Sequence, residues 1–360
     1  MLVSPAIKNM VYIRTDANEV MASGHMMRCL SIASEIKAIG ENVEFIISDH
    51  QSEELLNNSG FKFHYIDSDW RNPDVKNETD QIKQIFSDSR NNDITILVDS
   101  YYITNKYFKH FDHEVKTAYI DDLLRERYDT DLLINYNIYH GIFDYESRYA
   151  SGNTKLLLGT EYVPLRRQFA RRYSQGQAEP QDKKELDILM MSGGGDPHHV
   201  LMDLLRYGDT HGFFEGKNKY HVVVGAYNPD TEELSNLAER IPNLVIYSRV
   251  DDMASLMRRC DIAVSAAGTT LYECCAVGLP TIIYCMVDNQ KHDGMFFSRD
   301  AKMLYAGDLR FEKKKVISNI YSHISYLINN PTARMQMRGS MMRLIDGFGA
   351  ERIARALINL

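Results

Sequence analysis

His25 is the residue near the start of the chain best suited to acid–base chemistry. It follows Gly24 in a polar loop after an apolar run at 10–13, and apolar residues recur at helical spacing behind it. An imidazole has an ordinary pKa of about 6.5, which suits a general base at neutral pH. The glycine allows close backbone approach, and a helix N-terminus attracts anions. We therefore expect His25 to be functional; the alternative is a helix-terminal histidine that only satisfies a local hydrogen bond.

A glycine-rich loop in the second half could approach an anion. Gly193, Gly194 and Gly195 follow an apolar run and precede a helical pattern, so their amides are not obstructed by Cβ atoms. The loop matches neither G-x-x-x-x-G-K-[ST] nor G-x-G-x-x-G. A plain tight turn explains it equally well.

A second loop of small residues, 265–270, also follows a buried apolar run and precedes a helix. Ser265, Gly268, Thr269 and Thr270 offer hydroxyls and amides suited to a diphosphate, and Glu273 lies one turn further on, where it could bind ribose hydroxyls. The alternative is an ordinary capped helix facing solvent.

Polar side chains recur directly after the apolar runs of the first half. Because parallel strands end at the same edge of a sheet, these residues are expected to line one cleft with His25. Each alone is also a common helix cap or turn former. The residues are Asp99, Asp121, Asp122, Asn135 and Asn137.

Other kinds of site find little support. The adjacent pairs His198-His199 and His292-Asp293 lack the i, i+4 spacing of metal ligands on one helical face, and neither HExxH nor G-x-S-x-G occurs. The sequence therefore predicts no metal and no cofactor.

The elements that position these residues alternate as strand and helix twice along the chain. Such alternation predicts an α/β fold with two doubly wound, Rossmann-like parallel sheets. We expect a first domain at 1–170, a linker at 171–185 rich in polar residues, and a second domain at 186–345. After the strand at 281–285 and a loop at 288–290, helices are expected for the rest of the chain. The last of them, within 346–360, could cross back to the first domain.

Composition sets the broad class. The 360 residues are 44% hydrophobic and 25% charged with a formal net charge of −8, which is typical of a globular protein and argues against nucleic acid as a partner. No run is apolar enough to span a membrane, and the N-terminus has no leader-like segment. The five cysteines lack metal-finger spacing, so we expect buried, reduced thiols in a cytoplasmic protein. We expect the protein to be a monomer or a weak homodimer.

Motifs through nearly the whole chain resemble one family, the UDP-sugar hydrolases of pseudaminic acid biosynthesis and the related spore-coat polysaccharide proteins. In the first half they are Arg14-x-Asp16, Gly24-His25-x-x-Arg28-Cys29-Leu30, Asp99-x-Tyr101 and Asp121-Asp122. In the second half they are Gly194-Gly195-Asp196-Pro197, Ala267-Gly268-Thr269, Tyr272-Glu273 and Asn289-Gln290.

This resemblance implies a GT-B fold in which the second domain binds UDP and the first presents the catalytic groups. It implies hydrolysis of UDP-2,4-diacetamido-2,4,6-trideoxy-β-L-altrose, and His25 matches the catalytic histidine of the family. We expect His25 to act as the general base and Asp16 to orient the histidine or the water. We also expect substrate contacts from Arg14, Gly24, Arg28, Asp99, Tyr101, Asp122, Asn289 and Gln290. Two alternatives stay open: a glycosyltransferase with a UDP-sugar donor, and a non-catalytic nucleotide-sugar binding protein.

Overall fold

The computed structural model describes residues 9–17, 24–89, 93–171, 183, 185–225, 228–288 and 290–360. These form two compact units. Unit 1 contains the chain up to Arg166 together with Phe348–Leu360, and unit 2 contains Arg167–Gly347. The sequence places the end of the first domain four residues later, at 170, and most of its expected linker lies outside the described residues.

Unit 1 is a seven-stranded sheet covered by helices. Every strand pair is parallel, and the strand order is β3-β2-β1-β4-β5-β6-β7. The strands are β1 (Asn9–Thr15), β2 (Asn42–Ile47), β3 (Phe63–Tyr65), β4 (Asp93–Asp99), β5 (Lys116–Ile120), β6 (Leu132–Asn135) and β7 (Lys155–Leu158). The helices are α1 (Gly24–Ile39), α2 (Glu53–Ser59), α3 (Val75–Phe86), α4 (Asn105–Phe108), α5 (Tyr145–Tyr149) and, from the C-terminus, α13 (Gly349–Ile358).

Unit 2 repeats this architecture with six parallel strands in the order β10-β9-β8-β11-β12-β13. The strands are β8 (Asp187–Met191), β9 (Lys219–Val223), β10 (Leu244–Tyr247), β11 (Ile262–Ala266), β12 (Thr281–Cys285) and β13 (Leu304–Asp308). The helices are α6 (Val200–Thr210), α7 (Thr231–Ala238), α8 (Met253–Arg259), α9 (Thr270–Val277), α10 (Gln290–Asp300), α11 (Leu309–Asn329) and α12 (Pro331–Leu344).

Both predicted Rossmann-like α/β units are confirmed. The central strands carry near-continuous apolar runs because helices cover both faces of a parallel sheet. Ile96, Leu97 and Val98 of β4 and Ile262 and Val264 of β11 are fully buried.

One secondary-structure prediction is wrong. The chain after the loop at 288–290 is predicted to be entirely helical, yet β13 pairs with β12 as an edge strand. Of its five residues only Ala306 is buried, and Gly307 is among them, so they carry a weak strand signal. Pairing with β12 therefore decides its structure more than local propensity does.

The C-terminal helix α13 packs on α1 within unit 1. Ile353, Ala354 and Leu357 are buried on its inner face, and Thr95 Oγ1 on β4 donates to the carbonyl of Leu357 at 3.4 Å. Gly349 is required at its start, since a Cβ there would lie 2.2 Å from the Val163 carbonyl oxygen. Unit 1 is therefore built from both ends of the chain.

Candidate active site

The strand order of unit 1 creates a crevice between the carboxyl ends of β1 and β4. The chain leaves these neighbouring strands toward opposite sides of the sheet, which is where open α/β sheets bind ligands. His25 is the second residue of α1 and Asp99 is the last residue of β4. The topology thus brings together two residues that are 74 positions apart.

A histidine–aspartate pair occupies this crevice. His25 Nδ1 lies 2.6 Å from Asp99 Oδ1, and His25 is 6% exposed while Asp99 is fully buried. An ionised carboxylate only accepts hydrogen bonds, so Nδ1 carries the proton and Nε2 keeps a free lone pair in the neutral ring. The arrangement is that of a general base oriented by a carboxylate.

Asp99 stays ionised because cations outweigh its burial. Burial alone would raise the pKa of Asp99, but the charge of Arg28 and the neighbouring His25 hold that pKa well below its usual range. Arg28 Nε donates to Asp99 Oδ2 at 2.7 Å and Nη2 to Oδ1 at 2.5 Å. The pair therefore keeps its acceptor throughout the neutral range.

Arg28 is buried, and its guanidinium is bonded to other side chains of the site instead of facing solvent. Besides Asp99, its Nη1 donates to Asp122 Oδ2 at 3.0 Å and to the Tyr136 hydroxyl at 2.6 Å, and the residue is 9% exposed. With all three guanidinium nitrogens engaged, Arg28 orients Asp99 and Asp122. The substrate contact implied for it would require these bonds to break.

Tyr101 is the exposed side chain beside His25. Their ring centroids are 4.5 Å apart, edge to face, and the Tyr101 hydroxyl donates to Asp122 Oδ2 at 3.1 Å. Burial and the charge of Asp122 raise the pKa of Tyr101, so it remains a phenol. Asn137 Nδ2 donates to the other oxygen of Asp122 at 2.9 Å. Asp122 and Asn137, both expected in the cleft, thus lie at the site together with Tyr101.

Asp16 is not the carboxylate bonded to His25, which was one of the two roles expected for it. Asp99 is the carboxylate bonded to His25, whereas Asp16 accepts from Arg14 and from the backbone and side chain of Ser48. Arg14 is buried as well and donates to Glu78 Oε1 at 2.9 Å. Arg14 and Asp16 therefore belong to a buried network with Ser48 and Glu78. Gly24 begins α1 with no heavy atom within 4 Å of a built Cβ.

In unit 2 the glycine loop and the small-residue loop follow adjacent strands, β8 and β11, at the corresponding crevice. Gly194 and Gly195 lie at the surface with open space beside Gly194. Asp196 is fully buried and accepts from the amides of Val200 and Leu201, so it caps α6. Ser192, at 2% exposure, has an Oγ without a partner among the described residues.

The loop after β11 leads directly into α9. Gly268 has φ +153°, which favours glycine, and the amides of Leu271 and Tyr272 bond back to the carbonyls of Gly268 and Thr269. The amides of Gly268, Thr269 and Thr270 therefore stand at the helix start, where a helix has donors to spare. Ser265 lies inside: it is 1% exposed and its hydroxyl donates to the Ala266 carbonyl.

The remaining predicted residues of unit 2 are Glu273, Gln290 and Asn289. Glu273 is half-buried on α9. Gln290 Oε1 accepts from the Met286 amide at 2.7 Å, so this oxygen holds the loop after β12. Asn289 lies outside the described residues.

Two residues of the structured site were missed from the sequence. Tyr136 accepts a hydrogen bond from Arg28. It directly follows β6, between Asn135 and Asn137, and this position at the sheet edge could have predicted its place in the site. Glu78 is fully buried against Arg14, and nothing in its helical context distinguishes it from a surface glutamate.

Across the described residues, no group of three or more His, Cys, Asp or Glu side chains could hold a metal ion. No helix in the described part of the chain is both long and apolar enough to cross a membrane.

Comparison with known proteins places these features in context. The family model described as the glycosyltransferase family 28 C-terminal domain matches residues 182–334. The chain is 28% identical over 229 residues to the spore coat polysaccharide biosynthesis protein SpsG of Bacillus subtilis, covering 62% of this chain and 64% of that protein. It is 25% identical over 341 residues to the uncharacterized protein MJ1062 of Methanocaldococcus jannaschii, covering 87% of this chain and 66% of that protein. The matches thus span slightly less than two thirds of these relatives.

Solved structures share the fold at low sequence identity. MurG of Acinetobacter baumannii has a TM-score of 0.66 at 12% identity, covering 98% of this chain and all of that one. The UDP-GlcNAc 2-epimerase of Neisseria meningitidis, solved with UDP-GlcNAc, has a TM-score of 0.60 at 12% identity, covering 98% and 100%. At these identities the likeness shows the fold alone. The chain has the GT-B fold of glycosyltransferases such as MurG, as its sequence predicts.

Proposed function

We propose that this chain transfers a sugar from a nucleotide-activated donor to a nucleophile that His25 deprotonates. The observation that carries the proposal is the 2.6 Å contact between His25 Nδ1 and Asp99, which leaves Nε2 as the base. Unit 2 supplies the nucleotide site in this proposal, with amides at Gly268–Thr270 on the diphosphate and Glu273 on the ribose. No metal or cofactor takes part.

The proposed reaction is a displacement at the anomeric carbon of the donor sugar. The nucleophile oxygen forms a bond to this carbon while its proton moves to His25 Nε2, and the bond to the diphosphate oxygen breaks with its electron pair leaving on UDP. The resulting imidazolium is stabilised by ionised Asp99. Arg28 keeps Asp99 in place through two hydrogen bonds.

A glycosyltransferase reaction, with a hydroxyl of another molecule as nucleophile, has the broader support. The family model is named for glycosyltransferases, and relatives of known name include N-acetylglucosamine transferases of Synechococcus that are 25% identical over 221 residues. These names favour an acceptor other than water.

Hydrolysis is the second candidate, and the burial of the base favours it. His25 is 6% exposed and the Tyr101 ring packs against it, so a nucleophile as small as water reaches Nε2 most easily. Hydrolysis of the diacetamido-trideoxy sugar is also the reaction that the motif resemblance implies. Water and a sugar hydroxyl would use the same base.

Incubation with UDP-2,4-diacetamido-2,4,6-trideoxy-β-L-altrose, and separately with UDP-N-acetylglucosamine, tests the proposal without any acceptor. UDP and the anomeric proton are followed by NMR for wild type, His25→Ala and the exposed control His113→Ala. UDP release that persists in His113→Ala and is lost in His25→Ala supports hydrolysis. Binding without release favours the transferase, and release that survives in His25→Ala contradicts the assigned base.

A further inference from the structure

The single tryptophan of the chain lies in unit 1, in the loop between β3 and α3. Trp70 and Tyr102 pack edge to face, with ring centroids 5.4 Å apart and planes at 76°. Tyr102 is 38% exposed and Trp70 is half-buried, so both rings keep surface available to a ligand. The proposed function leaves these two residues without a part.

The loop that carries Trp70 is fastened at several points. The Asp67 amide donates to Gln81 Oε1 at 2.9 Å, and Ser68 Oγ donates to Glu78 on α3. Asp69 closes a turn by accepting from the amides of Arg71 and Asn72. The Arg71 guanidinium also lies 4.8 Å from the Trp70 ring centroid. Trp70 is therefore held in a defined position.

Tyr102 connects this pair to the base. It directly follows Tyr101, whose ring touches His25, and its amide donates to Ser100 Oγ at 3.2 Å. Trp70 follows the carboxyl end of β3, whereas Ser100, Tyr101 and Tyr102 follow that of β4. An aromatic surface thus begins one residue away from the residue that contacts His25.

We propose that Trp70 and Tyr102 form a platform that binds the pyranose ring of a sugar next to the catalytic base. Sugar rings present C–H faces that pack on aromatic rings, and the polar edges of Trp and Tyr leave hydrogen-bond donors for ring hydroxyls. The platform rests on the proposed function, because it supplies the sugar that reacts at His25. The ring comes either from the donor or from an acceptor.

Because Trp70 is the only tryptophan, fluorescence excited at 295 nm reports on this platform alone. We expect UDP-2,4-diacetamido-2,4,6-trideoxy-β-L-altrose or UDP-N-acetylglucosamine to change the emission, with UDP alone leaving it unchanged. A change caused only by free N-acetylglucosamine added to the UDP-bound protein assigns the platform to an acceptor sugar. The His25→Ala variant should respond in the same way, which separates sugar binding from catalysis.

Kinetics provide the second test. Trp70→Ala and Tyr102→Leu should each raise the KM for the sugar about threefold to tenfold, with kcat changed less, since a stacking contact contributes roughly that much. Tyr326→Ala, an exposed tyrosine in unit 2, is the matched control and should leave KM unchanged. The platform is overturned if UDP alone reproduces the full emission change, if no sugar probe changes it, or if both platform variants keep the wild-type KM.

Discussion

At the scale of single residues, the partner of His25 decides how the base works. Asp99 accepts from Nδ1 and leaves Nε2 free, so His25 and Asp99 act as one unit. We expect His25→Ala and Asp99→Asn each to lower kcat on the order of 100-fold or more, and the double variant to lower it little further. Steady-state kinetics of UDP release measure all three.

The control for this pair lies on the same strand. Asp93 begins β4 and is exposed, whereas Asp99 ends it and is buried, so Asp93→Asn should keep full activity. Losses that multiply in the double variant would mean that the two residues act independently, and the pairing seen in the structure would then have no catalytic meaning.

A second residue-scale prediction concerns the buried ion network of Arg14, Asp16 and Glu78. Glu78 accepts from Arg14, from Ser68 and from the Tyr107 hydroxyl at 2.8 Å. Burial would raise the pKa of Glu78, but Arg14 outweighs this and lowers it. Glu78→Gln leaves the Arg14 charge short of one partner, so it should cost about 3–5 kcal/mol of unfolding free energy.

The dependence of stability on acidic pH provides a further test of Glu78. A carboxyl whose folded-state pKa is depressed stabilises the fold above its unfolded pKa of about 4.3, and this stabilisation is lost as the pH falls through the folded value. Wild type should therefore lose more stability than Glu78→Gln below about pH 4. Urea unfolding followed by circular dichroism measures both, with exposed Glu54→Gln as the control. Equal acid sensitivity in all three proteins would contradict the network's role.

At the scale of elements, two glycines of unit 2 have different expected roles: one is needed for packing and the other for ligand binding. A Cβ on Gly225 would lie 2.3 Å from the Gly193 carbonyl oxygen and 2.4 Å from that of Gly194, whereas a Cβ on Gly194 meets open space. Gly225→Ala should therefore lower the melting temperature. Gly194→Ala should leave the melting temperature unchanged and weaken UDP binding about tenfold by blocking approach to the loop.

Calorimetric titration with UDP and thermal melts of both variants check this contrast. If Gly194→Ala binds UDP as wild type does, the glycine loop is only a tight turn. If Gly225→Ala melts like wild type, the close approach of Gly225 to the carbonyls of Gly193 and Gly194 does not limit the stability of unit 2.

The same scale shows what the sequence can and cannot predict. Hydrophobic runs and helical spacing predict nearly every strand of both sheets, because each run must be buried on both faces. They also place His25, Asp99 and Asp122 at one sheet edge. They do not predict which carboxylate bonds His25, since Asp16 directly follows β1, Asp99 ends β4, and only side-chain geometry separates the two. The weak strand β13 and the buried Glu78 escape prediction because tertiary partners define them.

At the scale of the whole molecule, the first unit depends on the last residues of the chain. α13 packs on α1, and α1 carries His25, so the C-terminal helix supports the helix that presents the base. Leu357 is fully buried in this contact, whereas Arg355 on the same helix is exposed. Loss of packing at Leu357 should therefore weaken unit 1 and leave unit 2 intact.

Leu357→Ala tests this dependence, because removing a buried leucine costs about 2–5 kcal/mol. We expect Trp70 fluorescence, which reports on unit 1, to show unfolding at lower urea, while UDP binding by unit 2 keeps its wild-type affinity. Arg355→Ala should behave as wild type in both measurements. An equal loss in Arg355→Ala, or a fall in UDP affinity that parallels the loss of Trp70 signal, would show that α13 does not support unit 1 in particular.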